Sequence, residues 1–253
     1  MNILSTNDSR ETKRKYRNGV SFVVDAIREC CKNALSLATD AQAVLDSGSH
    51  ALALSIGVLA LEELGKATMI DGLLLAKPGD YKTEMFEKGH RQHPVKLMRI
   101  PGIHLWAAVI ARLDPRWGTN DPFQQAVAIS VERDREIMKD VLAKLGSTEG
   151  FSALDSWKQR GFYVNASCGG SPQAPANAVP KELALSVVLL ARRLTTLVDF
   201  VIRDNYERYE QFGQTARKTM TESDHEEMQN AATSMVAEII QYHQEGNDES
   251  QNW

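Results

Sequence analysis

The stretch 49–77, SHALALSIGVLALEELGKATMIDGLLLAK, decides the fold of this 253-residue chain. Between residues 51 and 61 every position is apolar or small except Ser55. A helix that is apolar on all sides is normally buried. The stretch is therefore predicted to be the central helix of a helical protein.

Two acids and a lysine, Glu62, Glu63 and Lys66, interrupt this apolar run. One interpretation is structural: Glu62 and Lys66, four residues apart, form a surface ion pair worth only about 0.2–0.5 kcal/mol. The other is functional, because the leucine-rich surroundings leave little room for a solvated face and an unpaired buried ion costs several kcal/mol. In that case these charges must meet partners from elsewhere in the chain.

Apolar residues before the central stretch recur at three- and four-residue steps, which is the period of an amphipathic helix. The pattern predicts a helix over residues 13–45, with Gly48 behind it as the C-terminal stop. Ser49 is then the expected N-cap of the central helix. We expect these two helices to pack antiparallel. The apolar positions of the first helix are Phe22, Ala26, Cys30, Ala34, Leu37, Ala41 and Val44.

Prolines and glycines break up the region that follows the central helix. We expect a short helix before Gly89, a turn through residues 90–93 and a helical piece that includes residues 104–113. The next helix, Pro122–Leu145, is marked by a proline at its first position and by Gly146 just behind it.

Periodicity fades over residues 146–179, which are predicted to be an irregular insertion. Pro180 then begins a long apolar stripe that continues toward Tyr209, and a capping box at residues 223–226 precedes the last helix. The sum is an all-α fold, an antiparallel bundle of four to five long helices with the insertion before the penultimate long helix.

Length and composition limit the possible functions. We expect a single domain over residues 1–253, with flexible ends at 1–12 and 245–253. A net charge of −4 gives no general attraction to nucleic acid, so DNA is not an expected partner and RNA binding needs a local patch. The three cysteines form neither a disulfide framework nor a zinc-binding spacing. Without a signal core or an uninterrupted apolar span, the chain is expected to be soluble, cytoplasmic and free of membrane contact.

Two Glu-x-x-His strings raise the question of a metal centre, because carboxylate-bridged di-metal sites in helical bundles use that spacing. The strings run from Glu87 to His90 and from Glu222 to His225. Gly89 interrupts the first, and Glu222 precedes the expected N-cap of its helix. We therefore expect no metal ion and no cofactor.

Two histidine–cation pairs offer acid–base chemistry. Arg99 and His104 follow the Arg-x4-His spacing with which HEPN-class ribonuclease domains place a cation and a general base near a scissile phosphate, although the intervening Pro-Gly disfavours a regular helical display. His93 and Lys96 are a more local pair, about one helical turn apart. Histidine can move a 2′-hydroxyl proton near neutral pH, and a cation can stabilise the charge that develops on phosphorus. The alternative for the second pair is a turn histidine followed by a surface lysine.

The chain contains three strings in this order: Glu62-Glu63-Leu64-Gly65-Lys66, then Phe86 before His93-x-x-Lys96, then Lys158-x-x-Gly161-Phe162-Tyr163-Val164-Asn165. Together and in this order they resemble the AbiV family of phage abortive-infection proteins. The Glu-Glu-x-Gly-Lys string of the central helix is the specific one. Where the family tends to have an aspartate after Tyr-Val, this chain has Asn165, so no acid role is assigned there.

The resemblance implies a HEPN-like helical bundle that acts in bacterial antiphage defence by stopping growth or translation in an infected cell. The chemistry expected for that superfamily is metal-independent cleavage of RNA, often across a homodimer. His93 would then be the acid–base group, and Lys66 and Lys96 would contact phosphate. Glu63 would orient a cation or the histidine, and Tyr163 would act as a hydrogen-bonding lid. The remaining candidate binding residues are Glu62, Arg99 and His104.

A non-enzymatic helical module is the alternative from another class. In that interpretation the charged centre fixes helix register, as buried polar residues sometimes do. The protein would then bind a phage protein or the translation machinery directly. Either function is compatible with a homodimer, which we expect because long apolar stripes and Trp106, Trp117 and Trp157 could leave apolar surface for a second copy.

Overall fold

The computed structural model describes residues 19–75, 89, 91–119, 122–163, 174–219 and 223. Within these ranges the chain is helical and contains no β-strand, which confirms the predicted all-α fold. Four of the helices have 22 to 27 residues. In chain order the described elements are α1 (Val20–Asp46), α2 (His50–Asp71), α3 (His93–Leu97), α4 (Ile100–Ala111), α5 (Pro122–Leu145), a 3₁₀ turn (Gly150–Ala153), α6 (Leu154–Phe162), α7 (Pro175–Ala178), α8 (Lys181–Ile202) and α9 (Tyr206–Thr219).

Helices α1 and α2 form the predicted antiparallel hairpin, joined by residues 47–49. Gly48 has a φ of 86°, a left-handed conformation that glycine adopts without strain. Ser49 occupies the predicted N-cap position, but its side chain makes no capping hydrogen bond. The start expected for the first helix, at residue 13, lies outside the described residues.

Helix α2 is the centre of the bundle. It packs against α1, α8, α6, α3 and α4, and side chains such as Leu54, Leu61 and Leu64 are completely buried. The predicted central position is confirmed, but the helix is not buried on all sides, because Leu52 is 38% exposed and Glu63 and Lys66 are partly exposed. Any charged side chain on α2 that faces these neighbours must therefore be paired inside the protein.

Helix α8 begins directly after Pro180, as predicted, and packs against α2, α1, α5 and α4. The apolar stripe predicts one helix that continues toward Tyr209, whereas α8 ends at Ile202. Asn205 explains the break: it is fully buried, and its amide donates to the Val201 carbonyl at 2.8 Å and to Asp114 Oδ2 at 3.0 Å. The Asn205 amide thus gives the Val201 carbonyl oxygen, at the end of α8, a hydrogen-bond donor, and α9 starts as a separate helix.

In the second half of the chain the predicted bounds of α5 are confirmed, whereas the segment expected to be irregular contains helices. Helix α5 has the expected bounds, and Gly146 behind it has a φ of 57°. The segment 146–179, expected to be irregular, contains the 3₁₀ turn, α6 and α7 among its described residues. The apolar periodicity did not predict helix α6, because the buried face of this helix consists of a leucine, a lysine and a glycine, namely Leu154, Lys158 and Gly161.

Two short helices follow α2. His93 is the first residue of α3 rather than the last residue of a turn, and Pro94 lies in its first turn, where the missing N–H costs no hydrogen bond. Helix α4 likewise starts with Pro101 in its first turn and continues regularly through Gly102. The helical piece expected near residues 104–113 is therefore present, and the Pro-Gly pair does not disrupt it.

Several expectations fall outside the described residues. They are the short helix before Gly89, both complete Glu-x-x-His strings, the capping box with the last helix, and the flexible ends. Among the helices that are described, none is long and apolar enough to cross a membrane.

Candidate active site

Glu62 is buried in the middle of α2, with 2% of its surface exposed, and three nitrogen groups surround its carboxylate. His93 Nδ1 lies 2.5 Å from Oε2, and Lys158 Nζ lies 2.5 Å from Oε1. Lys96 Nζ lies 3.5 Å from Oε2. The partners come from α3 and α6, so this one carboxylate joins three helices.

Gly65 explains how α3 comes close enough to α2 for these contacts. A Cβ atom at this position would overlap the Lys96 carbonyl oxygen. Gly65 and Glu62 are three residues apart and therefore share a face of α2. The glycine lets the backbone of α3 rest on α2, and the glutamate binds two of its side chains.

Helix α6 approaches α2 in the same manner. A Cβ atom at Gly161 would overlap Ser55 Oγ and the Ala51 carbonyl oxygen. The Ser55 hydroxyl lies 2.9 Å from the Lys158 carbonyl oxygen and 3.1 Å from that of Ala51, so one donor is shared between both helices. The Lys158-x-x-Gly161 string thus places a lysine side chain against Glu62.

Asp155 completes the group of charges. Its Oδ1 lies 2.7 Å from Lys158 Nζ, and its side chain is 26% exposed. We call Glu62, His93, Lys96, Asp155 and Lys158 the Glu62 cluster. Its two carboxylates are balanced by two ammonium groups, so the buried charges are compensated while the imidazole is neutral.

The contact with Glu62 fixes the orientation and tautomer of His93. The carboxylate is held by two ammonium groups and has no proton to donate, so at 2.5 Å Nδ1–H must be the donor. Nε2 then carries the lone pair of the neutral ring. The His93 side chain is 47% exposed, whereas that of Glu62 is 3% exposed. The arrangement is a base at the surface, oriented by a buried acid.

Glu63 and Lys66 lie apart from this cluster. Lys66 Nζ is 3.7 Å from Glu63 Oε2, and both side chains are partly exposed. Both side chains lie close to Cys30 of α1. Burial raises the pKa of the Cys30 thiol to about 11; the charge of Lys66 lowers this pKa by a smaller amount, whereas the charge of Glu63 and its hydrogen bond with the thiol raise it. The carboxylate that contacts His93 is therefore Glu62, whereas Glu63, expected to orient a cation or the histidine, contacts the cation Lys66.

The Arg99 and His104 pair is not assembled. Arg99 is exposed in front of α4, whereas His104 is buried and its Nδ1 has no hydrogen-bond partner among the described residues. Burial, with a smaller effect from Arg135, lowers the pKa of His104 to about 4. His104 is thus a neutral core side chain near pH 7, and the Arg-x4-His spacing does not display two groups on one surface.

Tyr163 lies at the C-terminal end of α6 and is 65% exposed, with its ring centroid 6.2 Å from that of Phe162. Helix α6 runs antiparallel to α2, because Lys158 reaches Glu62 while Gly161 lies against Ala51. Tyr163 is therefore directed toward the start of α2, away from Glu62.

Two residues of the cluster were not among the predicted site residues, Lys158 and Asp155. Lys158 stands in one of the strings that resemble the AbiV family, and that string was the available signal. Asp155 precedes it by three residues, the spacing of a helical ion pair. Neither could be placed against Glu62 from a segment expected to be irregular.

Three side chains of the Glu62 cluster could bind a metal ion. Glu62, His93 and Asp155 each offer one ligand atom, and these atoms lie within 4.8 Å of one another. Carboxylate and imidazole groups are common ligands of divalent transition metals. The Lys158 ammonium, however, is hydrogen-bonded to Glu62 and forms an ion pair with Asp155.

A second polar group joins α5 to α8 but resembles a structural contact. Ser186 Oγ donates to Asp140 Oδ2 at 2.5 Å, and Lys144 Nζ donates to Ser186 Oγ at 3.0 Å. Hydrogen bonds from Lys144 and Ser186 lower the pKa of Asp140. The group contains no histidine and bridges two long helices.

The family model of the AbiV proteins, a HEPN-type family, matches residues 22–196, which is well over half of the chain. The match includes all five residues of the Glu62 cluster. No curated protein and no solved structure matches the chain.

Proposed function

This chain belongs to the AbiV family of HEPN-type proteins, and from that premise we propose that it acts in bacterial antiphage defence by abortive infection. In this proposal the protein is a toxin that cleaves RNA in infected cells and thereby stops translation. RNA is its substrate, and a phage protein or a component of the translation machinery is a candidate partner.

The contact between Glu62 and His93 is the observation that supports an enzymatic role most strongly. A purely structural ion pair needs no imidazole at the surface. Here a buried carboxylate holds a half-exposed ring by Nδ1, at 2.5 Å, and leaves Nε2 as the basic nitrogen. This is the arrangement of an oriented general base, in which an acid fixes the tautomer of the histidine.

In the proposed reaction His93 Nε2 accepts the proton of a ribose 2′-hydroxyl group. The 2′-oxygen attacks the adjacent phosphorus, the bond to the 5′-oxygen breaks, and this leaving oxygen takes a proton from water. The products are a 2′,3′-cyclic phosphate and a 5′-hydroxyl end. The step needs no metal ion, because the base is a side chain and the attacking oxygen belongs to the substrate.

Lysines supply positive charge in this proposal. Lys96 shares Glu62 Oε2 with His93, so its ammonium lies beside the ring, and in this proposal it contacts the phosphate. Lys66 is more exposed and could contact phosphate only from the edge of the site. Tyr163, as a lid, would have to act on a part of the RNA distant from the scissile bond.

Cleavage of total RNA in the presence of EDTA tests the proposal. Wild-type protein should cut RNA, and His93→Ala should reduce the rate at least about a hundredfold, as expected for loss of a general base. His50→Ala is a matched control, because His50 starts the same central helix twelve residues before Glu62. A 2′-deoxy nucleotide at the cleavage position should block the reaction, and the products should carry 2′,3′-cyclic phosphate ends.

Three other results would point elsewhere. Activity that EDTA abolishes would favour metal-dependent chemistry. Equal activity of the wild type and His93→Ala would contradict the role of the imidazole. Growth arrest on expression without any RNA cleavage would favour the non-enzymatic module that binds a phage protein or the translation machinery.

A homodimer remains part of the proposal. Leu185 and Leu189, one turn apart on α8, are 43% and 48% exposed, and they offer apolar surface to a second copy. Trp106 is buried in the core and does not contribute to such a surface. Light scattering of the purified protein should give the mass of a dimer, and a monomer at micromolar concentration would contradict this part.

A further inference from the structure

Lys158 is held more completely than an ordinary ion-pair lysine. Its side chain is 3% exposed, and its ammonium lies 2.5 Å from Glu62 Oε1 and 2.7 Å from Asp155 Oδ1. Its backbone carbonyl accepts the Ser55 hydroxyl at 2.9 Å, and Gly161 keeps this part of α6 against α2. Both ends of the side chain are thus fixed, and the position of the ammonium is determined by the fold.

The ammonium forms ion pairs with two of the three ligands of a potential metal site, Glu62 and Asp155. Glu62, His93 and Asp155 present their ligand atoms within 4.8 Å of one another, as a divalent ion would require. A divalent ion bound to both carboxylates would have to share them with the Lys158 ammonium, and two cations at such short distance repel each other strongly. The buried stem gives the ammonium no easy route to solvent.

We infer that Lys158 acts as a tethered cation in the place of a divalent metal ion, and that it positions Glu62 for His93. By binding Oε1, the ammonium leaves Oε2 directed to the imidazole. Lys158 is then a positioning residue, since it acts on the ring only through Glu62. The inference concerns the electrostatics of the site and holds whether or not the chain cleaves RNA.

Charge balance gives the inference a measurable consequence. With Lys158 present, two carboxylates face two ammonium groups. Without it, Glu62 and Asp155 are opposed by Lys96 alone, and the vacated position is surrounded by two carboxylates and an imidazole. Lys158→Ser should therefore create a binding site for a divalent ion that the wild type lacks.

The probe is Co²⁺, whose visible absorption reports protein ligands. Lys158→Ser should bind one equivalent of Co²⁺ through His93, so the double variant Lys158→Ser/His93→Ala should bind at least tenfold more weakly. Lys144→Ser is the matched control, because Lys144 also bridges an acid and a neighbouring helix. Wild type and Lys144→Ser should show no Co²⁺ binding that depends on His93.

Stability in metal provides a second readout, because removing one partner of a buried ion pair can prevent folding. Co²⁺ should raise the thermal midpoint of Lys158→Ser, or restore its fold, and leave the wild type and Lys144→Ser unchanged. Binding of Co²⁺ through His93 in the wild type would overturn the inference. A Lys158→Ser protein that neither binds Co²⁺ nor gains stability from it would overturn it as well. Neither readout uses RNA, so a failure here is distinct from a failure of the proposed ribonuclease activity.

Discussion

Glu62 and Glu63 are adjacent acids on one helix, and their substitution by glutamine should have very different effects on stability. Glu62→Gln removes the charge that faces three nitrogen groups at 2.5, 2.5 and 3.5 Å in a buried site. Lys158 is then left with Asp155 alone, and the cluster gains one uncompensated positive charge. Breaking a buried ion pair by removing one partner costs about 3–5 kcal/mol.

Glu63→Gln is the matched control, since the same chemical change occurs one residue later. Its only described ion pair spans 3.7 Å to Lys66, and the two side chains are 21% and 34% exposed. Partly exposed pairs of this kind contribute about 0–1 kcal/mol. The difference between the two variants should therefore be at least about 2 kcal/mol, a large part of the 5–15 kcal/mol that stabilises a typical domain.

Urea denaturation followed by circular dichroism measures both free energies of unfolding. A double-mutant cycle that combines Glu62→Gln with Lys158→Met should give a coupling energy of more than about 1 kcal/mol between Glu62 and Lys158, because the two groups are in direct contact. Equal destabilisation by the two glutamine variants would mean that Glu62 is not the buried partner of these cations.

Two further predictions concern packing and pH. Gly65→Ala should destabilise the protein by about 1–3 kcal/mol, because its Cβ overlaps the Lys96 carbonyl oxygen, and it should weaken the proposed ribonuclease activity. Gly102→Ala, with open space at its Cβ, should change neither quantity. Thermal melts measure the stability of both variants, and the RNA assay measures their activity. The pKa of His104 in the folded protein, about 4, lies below its ordinary value of 6.5. As the pH falls from 6.5 to 4, the unfolded chain therefore binds a proton before the folded protein does. The free energy of unfolding should drop by about 3 kcal/mol over this pH range. His104→Leu should remove this part of the acid sensitivity in urea titrations at several pH values, and an unchanged slope would contradict the burial of a neutral ring.

Most of the helices could be predicted from the sequence because their signals are local. Proline at a first turn and glycine behind a last turn fixed the bounds of α5, and the all-apolar run of α2 indicated its central position. Helix α6 was not predicted, since a buried lysine and a buried glycine replace part of its apolar stripe. Such a face becomes recognisable only when the partner surface on α2 is known.

The site was predictable only to the level of candidate groups. Glu62 and Glu63 are about 100° apart around the helix axis, so the choice between them depends on how α2 is rotated in the bundle. Sequence spacing does not contain that rotation. His104 shows the same limit, because the spacing from Arg99 is the one expected of a site while the packing of α4 buries the ring.

The side-chain ¹⁵N resonances of His93, assigned with the His93→Ala variant, show directly which ring nitrogen carries the proton. At a pH where the ring is neutral, the account predicts a proton on Nδ1, donated to Glu62, and an unprotonated Nε2. A ring that carries its proton on Nε2 would contradict the account, because Nδ1 could then not donate to the buried carboxylate and the basic nitrogen would face the wrong way for the proposed reaction.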